Sequence, residues 1–549
     1  MKGVLQVHPS DNVIVALRDL KKGEEIEVNG RPVEIKEPIP LKHKFAAKDF
    51  SKGDKIIMYG VEVGQLLGDV PAGGWIRREL VSHSTAAFGG KRKNYEWTPP
   101  DVSRWKDRTF MGYRRSDGQV GVRNYWLVIP MVFCENRNVS VLKDAFLRGL
   151  GYGQPDVYLR QVESLVTQYQ QGADENSLRS LTFEVEKKQA PSERIFQQVD
   201  GIKFLLHEGG CGCIRADSNR LCALLAGYCV NANVAGITVL SLGCQNAQVS
   251  ILQEEIKKRD PDFDKPLLIF EQQRWPSEYK MLTQAVKKTF IGLTQINQLQ
   301  RSPATLDKLT VGVKCGGSDG FSGISANPAV GYCADLIVAL GGKIVLAEFP
   351  ELCGVEQELI DRSVNAEVGD RFARLMRGYA ALAEAGGGDF SMNPSPGNIR
   401  DGLITDAIKS AGAARKGGTS PVVDALPYPE SATQAGLSLL CTPGNDVEAT
   451  TGMAGAGCTI QLFTTGLGTP TGNPISAMVK IATNSQLAER MSDIIDLNAG
   501  VIITGDKTVE EVGEEILEYV IGLASGTYDT KSMQLGQDDF IPWKLATSL

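Results

Sequence analysis

Histidine is scarce in this sequence and unevenly distributed. The four histidines are His8, His43, His83 and His207, and three of them lie within the first 83 residues. An imidazole has a reference pKa near 6.5, so it can bind a metal ion or transfer a proton near neutral pH. Each of the four can instead be a surface group or a hydrogen-bonded core residue. Their small number makes them the first side chains to consider for catalysis.

Glycines and polar side chains follow most of the apolar runs in the second half of the chain. These clusters are CGGSDG at 315–320, NPSPGN at 393–398, PGND at 443–446, TTGLGTP at 464–470 and KIATN at 480–484. Ligands bind beyond the carboxyl ends of parallel strands, where loops converge and helix N-termini point N–H groups outward. The clusters therefore indicate a binding site, although any one of them alone can be a simple turn.

Common cofactor and catalytic motifs are absent from the sequence. The segment GLGTPTG has the wrong last spacing for the dinucleotide fingerprint GxGxxG. There is no GxxxxGK[ST] phosphate loop, no HExxH zinc helix and no CxxC pair. The sequence thus gives no support for a Rossmann cofactor or a P-loop ATPase.

A turn-and-strand pattern occurs three times in the first ninety residues. Asp19, Asp49 and Asp69 are each followed by a glycine four positions later and an isoleucine seven positions later. We expect the aspartate to close the turn through its own backbone, the glycine to supply a positive φ, and the next segment to enter a sheet. This predicts a small all-β unit at 1–90, followed by a linker at 91–118 that wraps a surface.

From about residue 120 onward, short apolar runs that end in glycine-rich loops alternate with helical stretches. The runs are YWLVIPMV, IKFLLHEGGCGC, ITVLSLGCQNAQ, LTVGVKCGGSDG, KIVLAEFPE, LSLLCTPGND, IQLFTTGLGTPTGN and AGVIITGD. Such runs are typical of buried parallel strands, and the alternation predicts open α/β sheets with helices on both faces. We expect one α/β domain at 119–300 and a second at 301–549. Thr508 and Glu511 form a capping box, which predicts a helix from Thr508 to Ser525.

Composition and charge limit the class of protein. The 549 residues include 58 Lys and Arg against 65 Asp and Glu, a net charge of -7, and 42% are hydrophobic. This balance gives no electrostatic reason to bind nucleic acid or an anionic membrane. No apolar run reaches the roughly 18 residues of a membrane span, and the first residues lack the apolar run of a secretory signal. We expect a cytoplasmic protein whose eleven scattered cysteines are reduced thiols.

The strand-end clusters do not stand alone. Together with HPSDN at 8–12, HKFA at 43–46, GVRN at 121–124, HEGGC at 207–211 and LGCQN at 242–246, they resemble the altronate/galactarate dehydratase family. The resemblance implies an N-terminal SAF-type β domain and a larger dehydratase region. This agrees with the fold class expected from the residues, a small all-β unit followed by two open, mainly parallel α/β sheet domains. The resemblance also implies loss of water from an aldonate or aldarate to give a 2-keto-3-deoxy sugar acid. The implied cofactor is a divalent metal ion, ferrous iron first and manganese as the alternative.

Loss of water from a hydroxy acid requires a stabilised enediolate, a base for the α-proton and an acid for the departing 3-hydroxyl. The matched motifs assign metal binding to His8, Asp11 and Asp446 and proton transfer to His43, Lys480 and His207, with His83 as a further candidate.

Other matched residues are expected to bind the substrate. Arg123 has the guanidinium geometry to hold a carboxylate through two hydrogen bonds, although a surface salt bridge is the alternative. The remaining residues can bind polyol hydroxyls, or can be no more than helix caps and turn residues. They are Asn124, Ser318, Asp319, Asn327, Asn398, Asn445, Thr483 and Asn484.

Two departures from the family pattern bear on the substrate. Leu467 stands where an arginine is expected between the glycines of the TTGxGTP loop, and residues 151–198 resemble an insertion relative to shorter members. A galactarate-type aldarate therefore stays open as the substrate. So does a different class of function, a non-catalytic sugar-acid binding protein on the same scaffold.

Cysteines raise a rival within the enzymes, an iron–sulfur hydro-lyase, because thiolates are the usual ligands of such clusters. Cys211, Cys244, Cys315 and Cys458 all lie in strand-end motifs, but their spacings do not match common cluster motifs. A mononuclear ion is expected instead. The expected partner is a small sugar acid rather than nucleic acid or membrane, and a homo-oligomer is compatible with the sequence.

Overall fold

The computed structural model describes residues 3–82, 84–85, 87–153, 157–183 and 194–546, so His83 lies outside the described residues. Within them the chain forms a small β unit, a middle unit around a four-stranded parallel sheet, and a C-terminal unit around a seven-stranded parallel sheet. This confirms the predicted fold class. No helix in the described part of the chain combines the length and apolarity needed to cross a membrane.

The strands of the N-terminal unit are short and pair in antiparallel fashion. They are β1 (Val4–Leu5), β2 (Val13–Ala16), β3 (Glu25–Val28), β4 (Arg31–Glu34), β5 (Lys44–Ala46), β6 (Lys55–Met58), β7 (Val61–Leu66), β8 (Trp75–Ile76) and β9 (Val81–Ser82). One sheet has the order β1-β2-β5-β8, another has the order β6-β7-β9, and β3 pairs with β4 as a hairpin.

The three sequence repeats fold as predicted at their glycines but not at their aspartates. Gly23, Gly53 and Gly73 all have positive φ. The aspartates, however, bond to distant repeats rather than to their own turns. Asp49 Oδ1 accepts from the N–H of Ala72 and Asp69 Oδ1 accepts from the N–H of Lys52, both at 2.8 Å. The predicted role in closing the local turn is therefore wrong, and these side chains tie one repeat to another.

The predicted linker at 91–118 contains a strand. Strand β10 (Thr109–Arg114) pairs with β11 (Val120–Gly121) and with β16 (Ser302–Thr305), both antiparallel. Because β16 lies at the start of the C-terminal unit, this small sheet joins the middle unit to that unit.

The middle unit contains a parallel sheet of β12 (Tyr125–Pro130), β13 (Gly201–Phe204), β14 (Val234–Ser241) and β15 (Leu267–Glu271), in the order β13-β12-β14-β15. Its helices are α1 (Asn136–Gly149), α2 (Val157–Gln170), α3 (Glu175–Ser180), α4 (Arg215–Val230), α5 (Val249–Arg259) and α6 (Glu278–Ile296). Helices α2 and α3 form the described part of the expected insertion at 151–198 and bury none of their residues.

The C-terminal sheet is wholly parallel, in the order β19-β20-β18-β17-β21-β22-β23. These strands are β17 (Thr310–Cys315), β18 (Lys343–Leu346), β19 (Val422–Leu426), β20 (Gly436–Leu440), β21 (Ile460–Thr465), β22 (Ala477–Ala482) and β23 (Leu497–Asn498). The helices of this unit are α7 (Ala326–Ala339), α8 (Glu356–Arg362), α9 (Ala366–Ala385), α10 (Pro396–Arg400), α11 (Asp406–Ala414), α12 (Asp446–Gly455), α13 (Ser485–Arg490), α14 (Val501–Thr504), α15 (Val509–Ala524) and α16 (Lys531–Gln534).

Two local predictions in this unit have opposite outcomes. The capping box is confirmed, because Thr508 and Glu511 satisfy each other's backbone N–H groups at the start of α15. The strand predicted at AGVIITGD is wrong, because this segment forms α14 instead. Asn498 Oδ1 accepts from the N–H of Gly500 at 2.8 Å and turns the chain directly after β23. This turn overrides the β propensity of the following apolar residues.

The N-terminal and C-terminal units share one hydrophobic core. Val13 and Phe50 belong to the same buried cluster as Val311 and Leu462 of the C-terminal sheet. The middle unit has separate cores on the two faces of its sheet, and Ala454 of α12 joins one of them. All three units therefore pack around the C-terminal sheet.

Candidate active site at the crest of the C-terminal sheet

The crest of each parallel sheet is defined here as the set of loops that follow the carboxyl ends of its strands. On the C-terminal sheet, adjacent strands β17, β18 and β20 bring charged side chains to one place at the crest, and α11 and the turn after it add one lysine each. We call this group the lysine cluster. Its members are Lys314, Cys315, Glu348, Glu351, Lys409, Lys416 and Asp446.

Lys314 joins two carboxylates of the lysine cluster. Its Nζ lies 2.9 Å from Glu348 Oε1 and also contacts Asp446 Oδ1. Lys314 and Glu348 have no exposed side-chain surface, whereas the Asp446 side chain is 31% exposed. Burial opposes a charged lysine, but the two carboxylates raise the pKa of Lys314 above its ordinary value. Asp446 therefore marks the mouth of the cluster.

Backbone strain places one of these carboxylates. Glu348 adopts the left-handed conformation with a φ of 73°, which is uncommon for a residue other than glycine. Its N–H donates to Thr442 Oγ1 at 2.9 Å, which holds the turn after β18. Residues held in sparsely populated backbone regions cluster at functional sites. This conformation directs the Glu348 carboxylate into the buried cluster.

The second half of the cluster contains a thiol. Lys409 Nζ lies 2.7 Å from Glu351 Oε1, and Lys416 Nζ donates to Cys315 Sγ at 2.8 Å. The thiol donates to Glu351 Oε2 at 3.3 Å. Burial, with the charge of Glu351, raises the pKa of Cys315 to about 11, so the group is a thiol near neutral pH. Burial opposes ionisation of Glu351, but the three lysines lower its pKa to about 2.

The charges of the lysine cluster suit an anionic ligand. Three ammonium groups face two buried carboxylates and the partly exposed Asp446, so the charges balance, and an anion at the mouth would take the place of Asp446 beside Lys314. In a dry environment such preorganised charge stabilises developing negative charge strongly. A carboxylate, or the enediolate formed from it, is the negative group that this arrangement can bind.

From the mouth, the crest continues through glycines toward the N-terminal unit. A Cβ added to Gly316 would lie 2.5 Å from Asp446 Oδ2, and one added to Gly466 would lie 2.3 Å from Asp319 Cγ. Asp319 in turn pairs with Lys42 of the N-terminal unit at 2.9 Å between Oδ2 and Nζ. The glycines therefore allow Asp446, Asp319 and Lys42 to belong to one continuous surface.

Lys480 lies on β22 beside this surface. Its Nζ donates to Gln537 Oε1 at 2.9 Å and lies 6.0 Å from the centroid of Phe463, whose other neighbour is Lys314. Burial lowers the pKa of Lys480 to about 8, and the charge of Asp446 is among those that oppose this shift. Of the predicted proton-transfer residues, Lys480 is the one that can gain and lose a proton near working pH while beside the cluster.

His43 lies at the contact between the N-terminal unit and the crest. Its Nε2 donates to the carbonyl of Arg400 at 3.1 Å, and Nδ1 is buried with no hydrogen-bond partner among the described residues. Burial lowers the pKa of His43, so the ring is neutral. The adjacent Lys44 is also buried and donates to the carbonyl of Gly402 at 2.6 Å.

His207 lies on the crest of the middle sheet. Its Nδ1 accepts from the N–H of Gly209 at 3.1 Å, so Nε2 carries the proton that is donated to the carbonyl of Pro130 at 2.8 Å. Burial lowers the pKa of His207 to about 4. Both ring nitrogens hold the loop after β13. The predicted role in proton transfer stays a prediction, and these contacts give the ring a structural role.

A cavity of about 560 Å³ separates the two crests. It is lined by His207 and Gly210 of the middle unit, by Glu448 of α12, and by Phe540 and Trp543 of the C-terminal tail. A larger cavity of about 690 Å³ contains none of the predicted site residues. Since α12 begins at Asp446, its first turn connects the mouth of the lysine cluster to the smaller cavity.

The predicted metal ligands do not come together. His8 is exposed and its Nδ1 contacts Ser10 Oγ at 2.6 Å, while Asp11 accepts from the N–H groups of His8 and Gly60. Asp446 contacts Lys314 instead.

A second group of possible metal ligands lies within the lysine cluster. Among the described residues, Cys315, Glu348 and Glu351 form the one set of three His, Cys, Asp or Glu ligand atoms within 4.8 Å of one another. Their ligand atoms are already contacted by the ammonium groups of three lysines. As arranged, this set does not fit a divalent cation, because added positive charge would have to displace those lysines.

Several predicted substrate residues do lie at the crest of the C-terminal sheet, mostly with their polar atoms engaged. Asn327 contacts Thr464 and Gly412 in the interior, and Asn398 donates to the carbonyl of Ser318 at 2.7 Å. Asn445 and Asn484 cap α12 and α13, and Thr483 is fully buried. Ser318 differs, because its hydroxyl is buried with no hydrogen-bond partner among the described residues. Ser318 thus stays the strongest of these predictions, whereas the buried Asp319 carboxylate is engaged by Lys42 and by Ser322.

Arg123 and Asn124 lie elsewhere. They precede β12, at the opposite end of the middle sheet from its crest. The Arg123 guanidinium donates to the carbonyls of Val122 and Leu523 and pairs with Asp529 at 3.1 Å. Asn124 is fully buried among backbone carbonyls. Their predicted role in substrate binding is untested, and their contacts tie the middle unit to α15 and its neighbours.

Sequence reasoning missed most of the lysine cluster. The missed members are Lys314, Glu348, Glu351, Lys409 and Lys416, and Lys42 on the neighbouring surface was missed as well. One signal could have identified Lys314, because a lysine inside the apolar run TVGVKC is unusual for a buried strand. Lys409 of α11 and Lys416 in the turn after it gave no such signal.

Comparison with known proteins decides the family. The sequence model for the D-galactarate/altronate dehydratase C-terminal domain matches residues 306–548, that for the second domain matches 112–297, and that for the family's SAF domain matches 2–84. The chain belongs to the altronate/galactarate dehydratase family. Curated relatives align over nearly the whole length. An altronate dehydratase of Bacillus subtilis is 33% identical, with 96% of each chain covered.

Two Escherichia coli relatives are dehydratases of different sugar acids. An altronate dehydratase is 32% identical, with 95% of each chain covered, and a galactarate dehydratase is 31% identical, with 97% of this chain and 94% of the relative covered. This dehydratase is therefore a hydro-lyase of sugar acids, and the comparisons do not favour the non-catalytic alternative.

Proposed function

We propose that this dehydratase removes water from an aldonate of the altronate type to give a 2-keto-3-deoxy acid. The supporting observation is Leu467, whose Cβ would lie 3.3 Å from a Cβ on Gly317 at the crest. An apolar side chain thus occupies the loop position where the family pattern has an arginine. Leu467 departs from the pattern of the whole family, so it does not single out altronate. It argues against a second carboxylate, because an aldarate carries two carboxylates and an aldonate carries one.

Galactarate is the second candidate substrate. The galactarate dehydratase is nearly as similar to this chain as the altronate dehydratases are. The choice between the two acids therefore depends on the crest and not on overall identity.

Three groups supply the proposed chemistry. The lysine cluster binds the carboxylate and stabilises the enediolate. The neutral amine of Lys480 removes the α-proton, which suits a pKa lowered to about 8. Glu448 protonates the departing 3-hydroxyl, because burial raises the pKa of its carboxyl group and the residue lines the adjoining cavity.

The divalent ion stays part of the proposal without a position at this crest. A bound ion would polarise the hydroxy acid as a Lewis acid. Since the predicted ligands His8, Asp11 and Asp446 are not assembled, none of the steps above passes through it.

The test is purification without oxygen, followed by assay of altronate, galactarate and related six-carbon acids for 2-keto-3-deoxy product, with and without added ferrous iron or manganese. We expect turnover of altronate above that of galactarate. Binding of these acids without turnover, under metal-replete conditions, would refute the catalytic proposal. A preference for galactarate would refute the assignment of substrate only.

A further inference from the structure

Three cysteines of the middle unit take no part in the site described above. Cys134 follows β12, Cys211 follows β13 and Cys244 follows β14, so all three lie on the crest of one sheet. Of the eleven cysteines, all free, these are the three that are not buried. Three thiols that are exposed or half-buried on adjacent strand ends are unusual, because free cysteine is ordinarily among the most buried residues.

The loops that carry these thiols contact one another. The N–H of Phe133 donates to the carbonyl of Gly209 at 3.1 Å, and the N–H of Ala247 donates to the carbonyl of Gly210 at 3.0 Å. Phe133 adjoins Cys134 and Gly210 adjoins Cys211. The loop after β13 is therefore hydrogen-bonded to the loops on both sides of it.

Glycine makes this close approach possible. Gly210 has a φ of 97°, and a Cβ at this position would lie 2.2 Å from the carbonyl oxygen of Met131. No other residue fits there without moving the backbone. The chain is thus constrained to hold the segment around Cys211 against the segment that leads to Cys134.

Backbone donors surround the thiols. The N–H groups of residues 210–212 and 244–246 make no hydrogen bond to any other residue in the described ranges. Backbone N–H groups in turns of this kind form concavities that bind anions, including the sulfides and thiolates of iron–sulfur sites. The crest therefore offers both thiolate ligands and donors to their sulfur atoms.

We propose that Cys134, Cys211 and Cys244 bind an iron–sulfur cluster of the [4Fe–4S] type through three thiolates. A single tetrahedral ion would hold thiolate sulfurs about 3.8 Å apart, given metal–sulfur bonds of about 2.3 Å. The only ligand set within 4.8 Å in the described chain is the one around Cys315, so these three sulfurs are not so close together. A cubic cluster holds its thiolates at separate corners, farther apart than a single ion does.

The spacing of the cysteines along the chain argued against a cluster, but the parallel sheet brings distant residues to one crest. It also separates the four cysteines that the sequence singled out. Cys315 and Cys458 lie in the C-terminal unit, and both are buried. Cys134, which the sequence analysis did not select, completes the set on the middle sheet.

Three protein ligands leave the fourth iron open. Gly210, which precedes Cys211, and Cys213, two residues after it, line the 560 Å³ cavity, as does Glu448. An iron in that position would act as a Lewis acid on a hydroxyl of the hydroxy acid whose carboxylate the lysine cluster binds. This role rests on the proposed function, whereas the cluster site itself does not.

The test is reconstitution of the full chain without oxygen, using ferrous iron and sulfide. We expect about four iron and four sulfide per chain and sulfide-to-iron charge-transfer absorption in the wild type. Cys134→Ala, Cys211→Ala and Cys244→Ala should each lose most of both. The matched control is Cys213→Ala, since this thiol is buried and lies 3.1 Å from Ser218 Oγ. It should retain the cluster.

A second measurement covers variants that fail to fold. In the wild type, alkylation followed by mass spectrometry should label Cys134, Cys211 and Cys244 in the apo form and not in the reconstituted form. Iron without sulfide, unchanged labelling, or full cluster content in the three variants would overturn the proposal. A cluster in a protein that dehydrates no sugar acid would refute the proposed function and leave the cluster site standing. Turnover by protein that contains no cluster would refute the catalytic role of the cluster and leave the proposed function standing.

Discussion

Lys42 of the N-terminal unit and Asp319 of the C-terminal unit form a buried ion pair, with 2.9 Å between Nζ and Oδ2 and no exposed surface on the Asp319 side chain. Lys42 has a φ of 73°, one of four positive values among described residues other than glycine. Burial opposes a charged lysine, but Asp319 raises the pKa of Lys42. The pair links the SAF domain to the candidate active site at the crest of the C-terminal sheet.

Removal of Lys42 should destabilise the protein strongly. Lys42→Met leaves the Asp319 carboxylate buried and uncompensated, which costs about 3–5 kcal/mol of the free energy of unfolding. The double variant Lys42→Met/Asp319→Asn should recover much of that loss, as measured by urea denaturation. Lys36→Met breaks an exposed pair with Glu34 and should cost less than about 1 kcal/mol. Equal losses in the two lysine variants would contradict the assignment.

Lys480→Arg should remove the proton acceptor while it keeps the positive charge. Wild-type kcat should rise with pH through about 8 as Lys480 loses its proton, because only the neutral amine acts as a base. In the variant we expect kcat to fall by roughly 100-fold or more, without that rise. The measurement is a pH–rate profile. Lys343→Arg is the control, since burial also lowers the pKa of Lys343, which lies at the amino end of β18. A rise at pH 8 that survives in Lys480→Arg would exclude this base.

Leu467→Arg should shift the substrate preference toward galactarate. A new charge-assisted contact to a second carboxylate would raise kcat/KM for galactarate relative to altronate by about tenfold or more. Leu467→Met, which keeps the size and apolarity of the side chain, should leave the ratio as it is. Steady-state assays with both acids measure the effect, and an unchanged ratio in the arginine variant would remove Leu467 from the argument about substrate.

His207 should make the protein sensitive to acid. Its pKa is about 4 in the folded protein and about 6.5 when unfolded, so between these values the unfolded chain binds the proton more readily. Stability is therefore present above pH 6.5 and lost as pH falls toward 4, by about 3 kcal/mol. Unfolding measured across this window should show a smaller slope in His207→Gln. The exposed His8→Gln variant should keep the wild-type slope, and identical slopes in all three proteins would contradict the shift.

Much of the fold follows from local patterns. The apolar runs predicted the parallel strands that carry Cys315 and the TTGLGTP loop, since buried parallel strands are nearly continuous in their hydrophobicity. The capping box at Thr508 and the glycines of the N-terminal repeat were likewise readable, because each acts on its own turn. Predictions failed where a residue distant in sequence determines the hydrogen-bond partner. Asp49 bonds across repeats to Ala72, which no local pattern reveals.

The candidate site was readable only in part for the same reason. Asp319 and Asp446 lie directly after predicted strands, so the strand-end rule selected them, whereas Lys480 was selected by its matched motif. Lys409 and Lys416 come from α11 and the turn after it, and nothing in their local sequence marks them. Arg123 shows the converse. It lies in a matched motif, yet its guanidinium holds backbone carbonyls at the far end of the middle sheet.

The sequence by itself determined the family, the three-unit architecture and the loops that can bind a ligand, because hydrophobic period and turn chemistry are local properties. The tertiary structure decided which charges neutralise one another and which thiols share a crest. Sheet order and inter-domain packing set those distances, and electrostatic and hydrogen-bonded contacts depend on distance in space rather than on separation along the chain.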